Sequence, residues 1–229
     1  MKITVHKEVF SKFHSQFKVA FILAEQVNNH LKFKESQHLL ETTEIMTQLL
    51  FSKDIPRNHY LISPWNTIQQ EFGPEAKHYQ TSVEKLLKKV IKKKKTKSNF
   101  TIINLINYLS IKHLIPIAID DYDKIQKELM FALSKGKEKV KFLRKLKPNI
   151  LYYSDASGVL GTKLDYWKSS RTQVDNKTKR YLIHIDSLPP ITDQKLVEIV
   201  IELEELIKTF CMGKTRKAIL YRQKPTTTF

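Results

Sequence analysis

Three carboxylates stand close together in mid-chain, Asp120, Asp121 and Asp123. Hard cations take carboxylate oxygens, so a D-D-x-D run could hold a metal. Acids directly ahead of Lys124-Ile125 also make an ordinary solvated turn or helix start, and neither metal nor cofactor is expected. Trp167, Arg171 and Thr178 fall between two expected strands. An indole and a guanidinium stack on bases, and the guanidinium fork grips phosphate. The same pair serves equally as a ring packed on a loop beside an ion pair. Of all segments, this one is the best candidate for ligand contact. His184 alternates with Leu182 and Asp186 along an expected strand. Its imidazole could act as a base near neutral pH, although a lone histidine on a strand is more often structural. Asn104 and Asn107 share one face of an apolar helix. Buried amides must find partners, so they either cap a nearby loop or orient the loop at Pro116. Ser82 and Ser157 have no obvious His–Asp pairing, so no serine nucleophile is expected. Cys211 closes a helix, where the negative pole of the dipole raises a thiol pKa. A lone cysteine excludes an internal disulfide and any Cys-rich zinc site.

The glycines form neither G-x-G-x-x-G nor G-x-x-x-x-G-K-[ST], and neither H-E-x-x-H nor G-x-S-x-G occurs. What the 229 residues do carry is charge: 40 Lys+Arg against 23 Asp+Glu, a net +17. Such a surface favours a polyanionic partner. The excess is concentrated, because residues 59–150 hold 19 basic and 8 acidic residues, or +11. One cluster is Lys85, Lys88, Lys89, Lys92, Lys93, Lys94, Lys95 and Lys97, with no acid among them. The other is Lys135, Lys137, Lys139, Lys141, Arg144, Lys145 and Lys147, opposed by Glu138 alone. Charge runs are usually solvated faces. Faces tuned only for solubility mix signs, whereas a one-sign face attracts phosphates. Lys85, Lys88, Lys89, Lys92, Lys93, Lys137, Lys139 and Lys141 are therefore the candidate RNA-binding residues.

The elements that must position these groups are legible in outline. Val83, Leu86, Leu87, Val90 and Ile91 follow the spacing of a buried helix face, with a T-x-x-E capping box at Thr81 and Glu84. Further helices are expected over residues 36–51, from Ser63-Pro64 to Gly73, over 99–113, and from Thr192 or Asp193 to about Gly213. Gly213 suits a left-handed cap. Strands are expected at 2–5, 17–23, 115–119, 128–133, 150–153 and 180–185, with a turn at 134–137. The sum is a mixed α/β, or α+β, fold with helices packed on mostly antiparallel sheet. Residues 1–213 read as a single two-lobed domain. Residues 214–229 read as a basic tail, ordered only if residues 218–221 find a sheet edge. Hydrophobic residues make up 41%, enough for a core. The longest apolar run is Val19–Ala24, far short of the roughly 20 residues of a membrane span. No apolar signal region follows the N-terminus, so a cytoplasmic protein with no membrane partner is expected.

The middle of the chain resembles a known family. Phe72-Gly73, Tyr79 and Thr81 to Leu87 lead into Ile102-Ile103-Asn104-Leu105-Ile106-Asn107-Tyr108, and then into Ile115-Pro116-Ile117-Ala118-Ile119-Asp120-Asp121-Tyr122-Asp123-Lys124-Ile125. This order is similar to the editing module, the third and fourth domains, of the phenylalanyl-tRNA synthetase beta subunit. It is more similar still to free-standing proteins made of that module. Tyr153-Ser154-Asp155, Gly158-Val159-Leu160, Trp167, Arg171-Thr172 and Thr178 fit the free-standing form. The likeness covers residues 60–187 well and the N-terminal part loosely. No class II catalytic signature accompanies it, so a complete tRNA ligase is not expected.

The resemblance implies tRNA or other RNA as partner and an aminoacyl group as possible small substrate. It also implies a pocket around Asn104, Asn107, Pro116, Ala118 and Asp121, with Asp121 a regular feature that binds no metal. Two positions depart from the synthetase pattern. Ala118 stands where the synthetase has a histidine two residues after the proline, and His184 falls where its specificity glutamate is placed. Both changes argue against tyrosine editing by the family route. One expectation is a trans-acting aminoacyl-tRNA deacylase, with backbone donors at Gly158 to Gly161 facing the developing oxyanion. The alternatives are a non-catalytic RNA-binding module or an amino-acid-binding protein using the same cleft. No side chain is assigned as catalytic, and the oligomeric state is left open.

Overall fold

The computed structural model describes residues 1–13, 15–51, 59–63, 81–140, 145–162 and 167–229. The helix expected from Ser63-Pro64 to Gly73 lies, beyond Ser63, outside the described residues, as do Lys141 and Arg144. The apolar run Val19–Ala24 becomes the middle of β2 (Lys18–Glu25), which is buried throughout except at its two ends. A strand with no polar face must be covered on both sides. It is flanked in its own sheet by β8 (Arg180–Ser187) and β9 (Lys214–Leu220), both antiparallel. Beyond β8 lies β3 (Ile117–Asp121), so the order is β3-β8-β2-β9.

Alternate residues of β2 feed two different cores, as the period of a strand requires. Val19, Phe21 and Leu23 pack with Ile3, Phe10, Phe131, Tyr153 and Leu182 against a second, six-stranded sheet. Its strands are β1 (Lys2–Val5), β4 (Glu128–Leu133), β5 (Leu151–Asp155), β6 (Gly158–Thr162), β7 (Trp167–Lys168) and β10 (Thr226–Thr228), in the order β10-β1-β4-β5-β6-β7. Only β1–β4 among these described pairings is parallel. On the other face Ala20, Ile22 and Ala24 meet the apolar stripes of α4 (Thr101–His113) and α5 (Asp193–Cys211). Layers of sheet, sheet and helix follow, the α+β arrangement expected. A third apolar cluster joins α2 (Phe33–Leu50), α3 (Ser82–Ile91) and the C-terminal end of α4 through Leu40, Val83, Leu87, Val90 and Ile111.

Three local expectations change. A short helix, α1 (Lys7–Lys12), follows β1 where the sequence predicts none. The left-handed residue ending α5 is Met212, at φ 51°, not Gly213. Gly213 serves close approach instead: a Cβ there would lie 2.7 Å from Ile207 Cγ2. The segment after Gly213 does find its edge, since β9 pairs with β2 and β10 with β1. Residues 214–220 and 226–228 are thus sheet rather than tail, because β2 and β1 each had an open side to fill.

Candidate nucleic-acid interface

Helix α3 begins with the capping box read from the sequence. Thr81 Oγ1 accepts from Glu84 N at 3.3 Å, and the Glu84 carboxylate accepts from Thr81 N at 2.7 Å. The box turns the one acid of the helix inward, where Glu84 is 1% exposed. It therefore leaves the solvent face to cations. Lys89, Lys92, Lys93, Lys94 and Lys95 are exposed, and none of the five forms an ion pair among the described residues. Lys85 and Lys88 are half-buried on the same helix.

The connection from Lys92 to Phe100 is held against α2 and α4 rather than left to drift. Asn104, fully buried, accepts from Ser98 N at 2.8 Å and donates to Ser36 Oγ at 3.2 Å and to the Ser98 carbonyl at 3.3 Å. Asn107 donates to the Thr96 carbonyl at 3.1 Å, Thr96 donates to Glu44, and Lys97 pairs with Glu41 at 3.1 Å. The two asparagines thus cap this basic connection, not the loop at Pro116. Asn107, Thr96 and Ser110 line a cavity of about 230 Å³ together with Ser82, Lys85 and Lys89. Thr96 and Ser110 escaped the sequence reading because isolated hydroxyls carry no spacing signal.

The second basic cluster is built differently. Glu138 folds under its loop and accepts from Lys135 N at 2.9 Å and Lys137 N at 3.0 Å. Burial works against its charge, but four backbone N–H donors hold the carboxyl below its usual range. Lys135, Lys137, Lys139 and Lys145 stand exposed around this loop. None of them lines the 230 Å³ cavity.

The segment expected to contact ligand is braced against its neighbours. Asp120, 1% exposed, accepts from Thr172 Oγ1 at 2.5 Å and pairs with Lys168 at 3.1 Å. Asp121 accepts from Thr178 Oγ1 at 2.7 Å and meets Lys124 at 3.1 Å. Arg171 donates to Asp155 at 2.6 Å and to the Lys124 carbonyl at 3.3 Å. Burial opposes ionisation of Asp155, yet Arg171 and the backbone N–H groups of Gln126 and Ser157 hold it below its usual range. Trp167 packs against the small cluster of Ala132, Val140, Leu146, Ile150 and Tyr152. Buried carboxylates are costly unless satisfied, and Thr172, Thr178, Lys168 and Arg171 satisfy them. These residues tie the 167–178 segment to β3 and to the end of β5.

His184 and Ala118 face each other across the β3–β8 ladder. His184 is 1% exposed, ringed by Phe21, Phe131 and Tyr153 at 5.2–6.1 Å between centroids, with Nδ1 3.3 Å from Asp186. A ring so enclosed is a core group and cannot reach a surface ester. Pro116 is buried, and its carbonyl accepts from Asp186 N at 3.1 Å. Gly158 and Gly161 lie in the β5–β6 ladder. A Cβ on Gly161 would sit 2.1 Å from Cε1 of Tyr153, so its missing side chain seats that ring. Cys211 is fully buried, and burial pushes its thiol up to about 12. The expected cleft therefore separates: Asp121, Arg171 and Thr178 cluster together, Asn107 joins the lysines, and Pro116, Ala118 and His184 belong to the core. No group of carboxylates, histidines or cysteine suited to a metal occurs among the described residues.

Residues 65–199 match the family model of the B3/4 domain. The chain belongs to the B3/4 domain family. Among solved structures it is similar to an N-terminal fragment of the phenylalanyl-tRNA synthetase beta-subunit from Pyrococcus horikoshii, at 12% identity and a TM-score of 0.42, over 93% of this chain and 50% of that one. It thus spans half the length of that fragment. No curated protein matches. The B3/4 match contains α3, α4 and the basic connection, but it omits β2 and β9, the two strands that complete the sheet of β3 and β8. No described helix is long and apolar enough to cross a membrane.

Proposed function

We propose that the protein binds RNA, tRNA first of all, across the exposed face of α3 and the basic connection that follows it. The observation that carries this reading is the lysine face whose one acid is folded away into the capping box. Phosphates gain from such a face by releasing counterions, in proportion to the number contacted. The 230 Å³ cavity opens beside Lys85 and Lys89. It lies below the roughly 300–1,000 Å³ of sites for drug-sized ligands, which suits an amino-acid side chain or one terminal group rather than a whole aminoacyl adenosine. Asn107, Thr96 and Ser110 offer it neutral hydrogen-bonding groups.

Titration of deacylated and aminoacylated tRNA over a range of salt tests the reading. Binding should weaken by several log units per log unit of salt. Salt-independent binding, or none at low salt, would remove it. Hydrolysis of a mischarged ester in trans is the second reading, favoured by the cavity's place beside the lysines. Among the described residues the cavity has no carboxylate or imidazole, so such chemistry would rest on positioning of water and the ribose hydroxyl. A panel of mischarged tRNAs decides it, since turnover at the buffer rate on every member leaves binding alone. Heat on titrating free amino acids without RNA would favour an amino-acid sensor.

A further inference from the structure

We infer that a second cavity, at the start of α4, takes an unpaired nucleobase of the bound RNA; this rests on the RNA reading above. The cavity measures about 540 Å³, inside the range of small-molecule sites. Its floor is Tyr181, 1% exposed, whose hydroxyl donates to the Thr178 carbonyl at 2.9 Å and accepts from Asn29 Nδ2 at 2.8 Å. Asn29 is fixed in turn: Oδ1 accepts from Ile102 N at 3.1 Å, and its carbonyl accepts from Thr101 Oγ1 at 2.6 Å. A floor held on this many sides loses little freedom when a ligand arrives.

The walls choose the ligand. Asn99, Asn176 and Phe100 line the space. The side chains of Asn99 and Asn176 make no hydrogen bond among the described residues, so both amides can donate and accept. No Lys or Arg lines it, and Asp175 does. Lys124 and the backbone N–H of Lys177 hold the Asp175 carboxyl below its usual range, so it is ionised at neutral pH. A phosphate would meet repulsion here. A neutral planar group with donors and acceptors on one edge, stacked on an aromatic ring, meets none. The location adds the source. Thr96 lines the first cavity, while Asn99 and Phe100 line the second. At about 3.3–3.6 Å per residue the two are within roughly 15 Å along the chain. A strand laid on the lysine connection therefore passes both.

The test uses the whole protein and two RNA hairpins, one blunt and one with a single-stranded overhang carrying 2-aminopurine. The wild type should prefer the overhang by roughly 5- to 150-fold, the span that base–aromatic stacking covers, and should quench the probe. Phe100→Leu keeps the apolar bulk and N99A/N176A keeps the ring. Each should lose most of the preference and the quenching, with blunt-hairpin affinity unchanged. Equal affinity of the wild type for both hairpins, or a preference that survives both variants, overturns the inference while leaving the lysine face intact. If neither hairpin binds at low salt, it is the RNA reading that fails.

Discussion

Neutralising Lys89, Lys92 and Lys93 together by Gln isolates the lysine face from the net charge. All three are exposed and form no ion pair among the described residues, so their removal leaves no buried acid unpaired. Each phosphate contact contributes about −0.9 to the log–log salt slope on duplex and about −0.7 on single strands. Three lost contacts therefore make the slope shallower by about 2 to 3 units. Between 50 and 200 mM salt, that amounts to roughly 20- to 40-fold less loss of affinity than the wild type suffers. The control removes the same charge elsewhere, at Lys2, Lys34 and Lys208, which are exposed and likewise form no ion pair among the described residues. Fluorescence anisotropy with labelled tRNA at five or so salt concentrations measures both slopes, and circular dichroism checks that α3 persists. Equal slopes for the two triple variants would refute the reasoning, because the face would then act only through net charge.

Thr81→Ala removes the capping box of α3 and should cost about 1 kcal/mol, within about 0.5–2, whereas Thr81→Ser should hold most of it; urea unfolding curves compare them. Gly161→Ala forces a Cβ onto the Tyr153 ring, and that ring is stacked on Phe131 at 5.0 Å with His184 beyond. With nowhere to move, overpacking should cost about 1–3 kcal/mol, and much of that cost should vanish in a Tyr153→Leu background; an undiminished cost there would contradict the clash. Glu202 joins α5 to α4 by hydrogen bonds to Lys112 at 2.6 Å and His113 at 2.8 Å. Burial opposes its charge, but Lys112 and His113 hold it below 4.5, and burial, more than Glu202 offsets, lowers His113 below 6.5. Both groups bind more protons unfolded than folded, so stability should fall as pH drops below about 6.5 and again through the carboxylate range. Glu202→Gln should flatten the lower step in thermal melts; an unchanged acid limb would show that the pair is not coupled to folding.

The amino-acid sequence by itself determined the features whose causes lie within a few residues. The capping box links positions three apart, the apolar stripe of α3 repeats every turn, and the solvated lysine face is what that stripe leaves over. The unbroken apolar run at β2 announced a strand covered on both faces. The motif order from residue 72 to 178 announced the family. The fate of individual polar groups was decided elsewhere. Asn104 finds Ser36 at a separation of 68 residues, Thr178 finds Asp121 at 57, and Arg171 finds Asp155 at 16. A tryptophan, an arginine and a threonine in that order read as a ligand clamp until the fold gives Arg171 the carboxylate of Asp155 on β5, Thr178 that of Asp121 on β3, and Trp167 an apolar cluster to pack on. His184 reads as a base until sheet packing closes three aromatic rings around it. Whether a donor meets solvent, ligand or a buried partner depends on which distant strand lies across from it. Burial makes an unsatisfied polar group costly, so the tertiary pairing, not the residue type, assigned these side chains to structure and left Lys89 and Lys92 to Lys95 to the solvent.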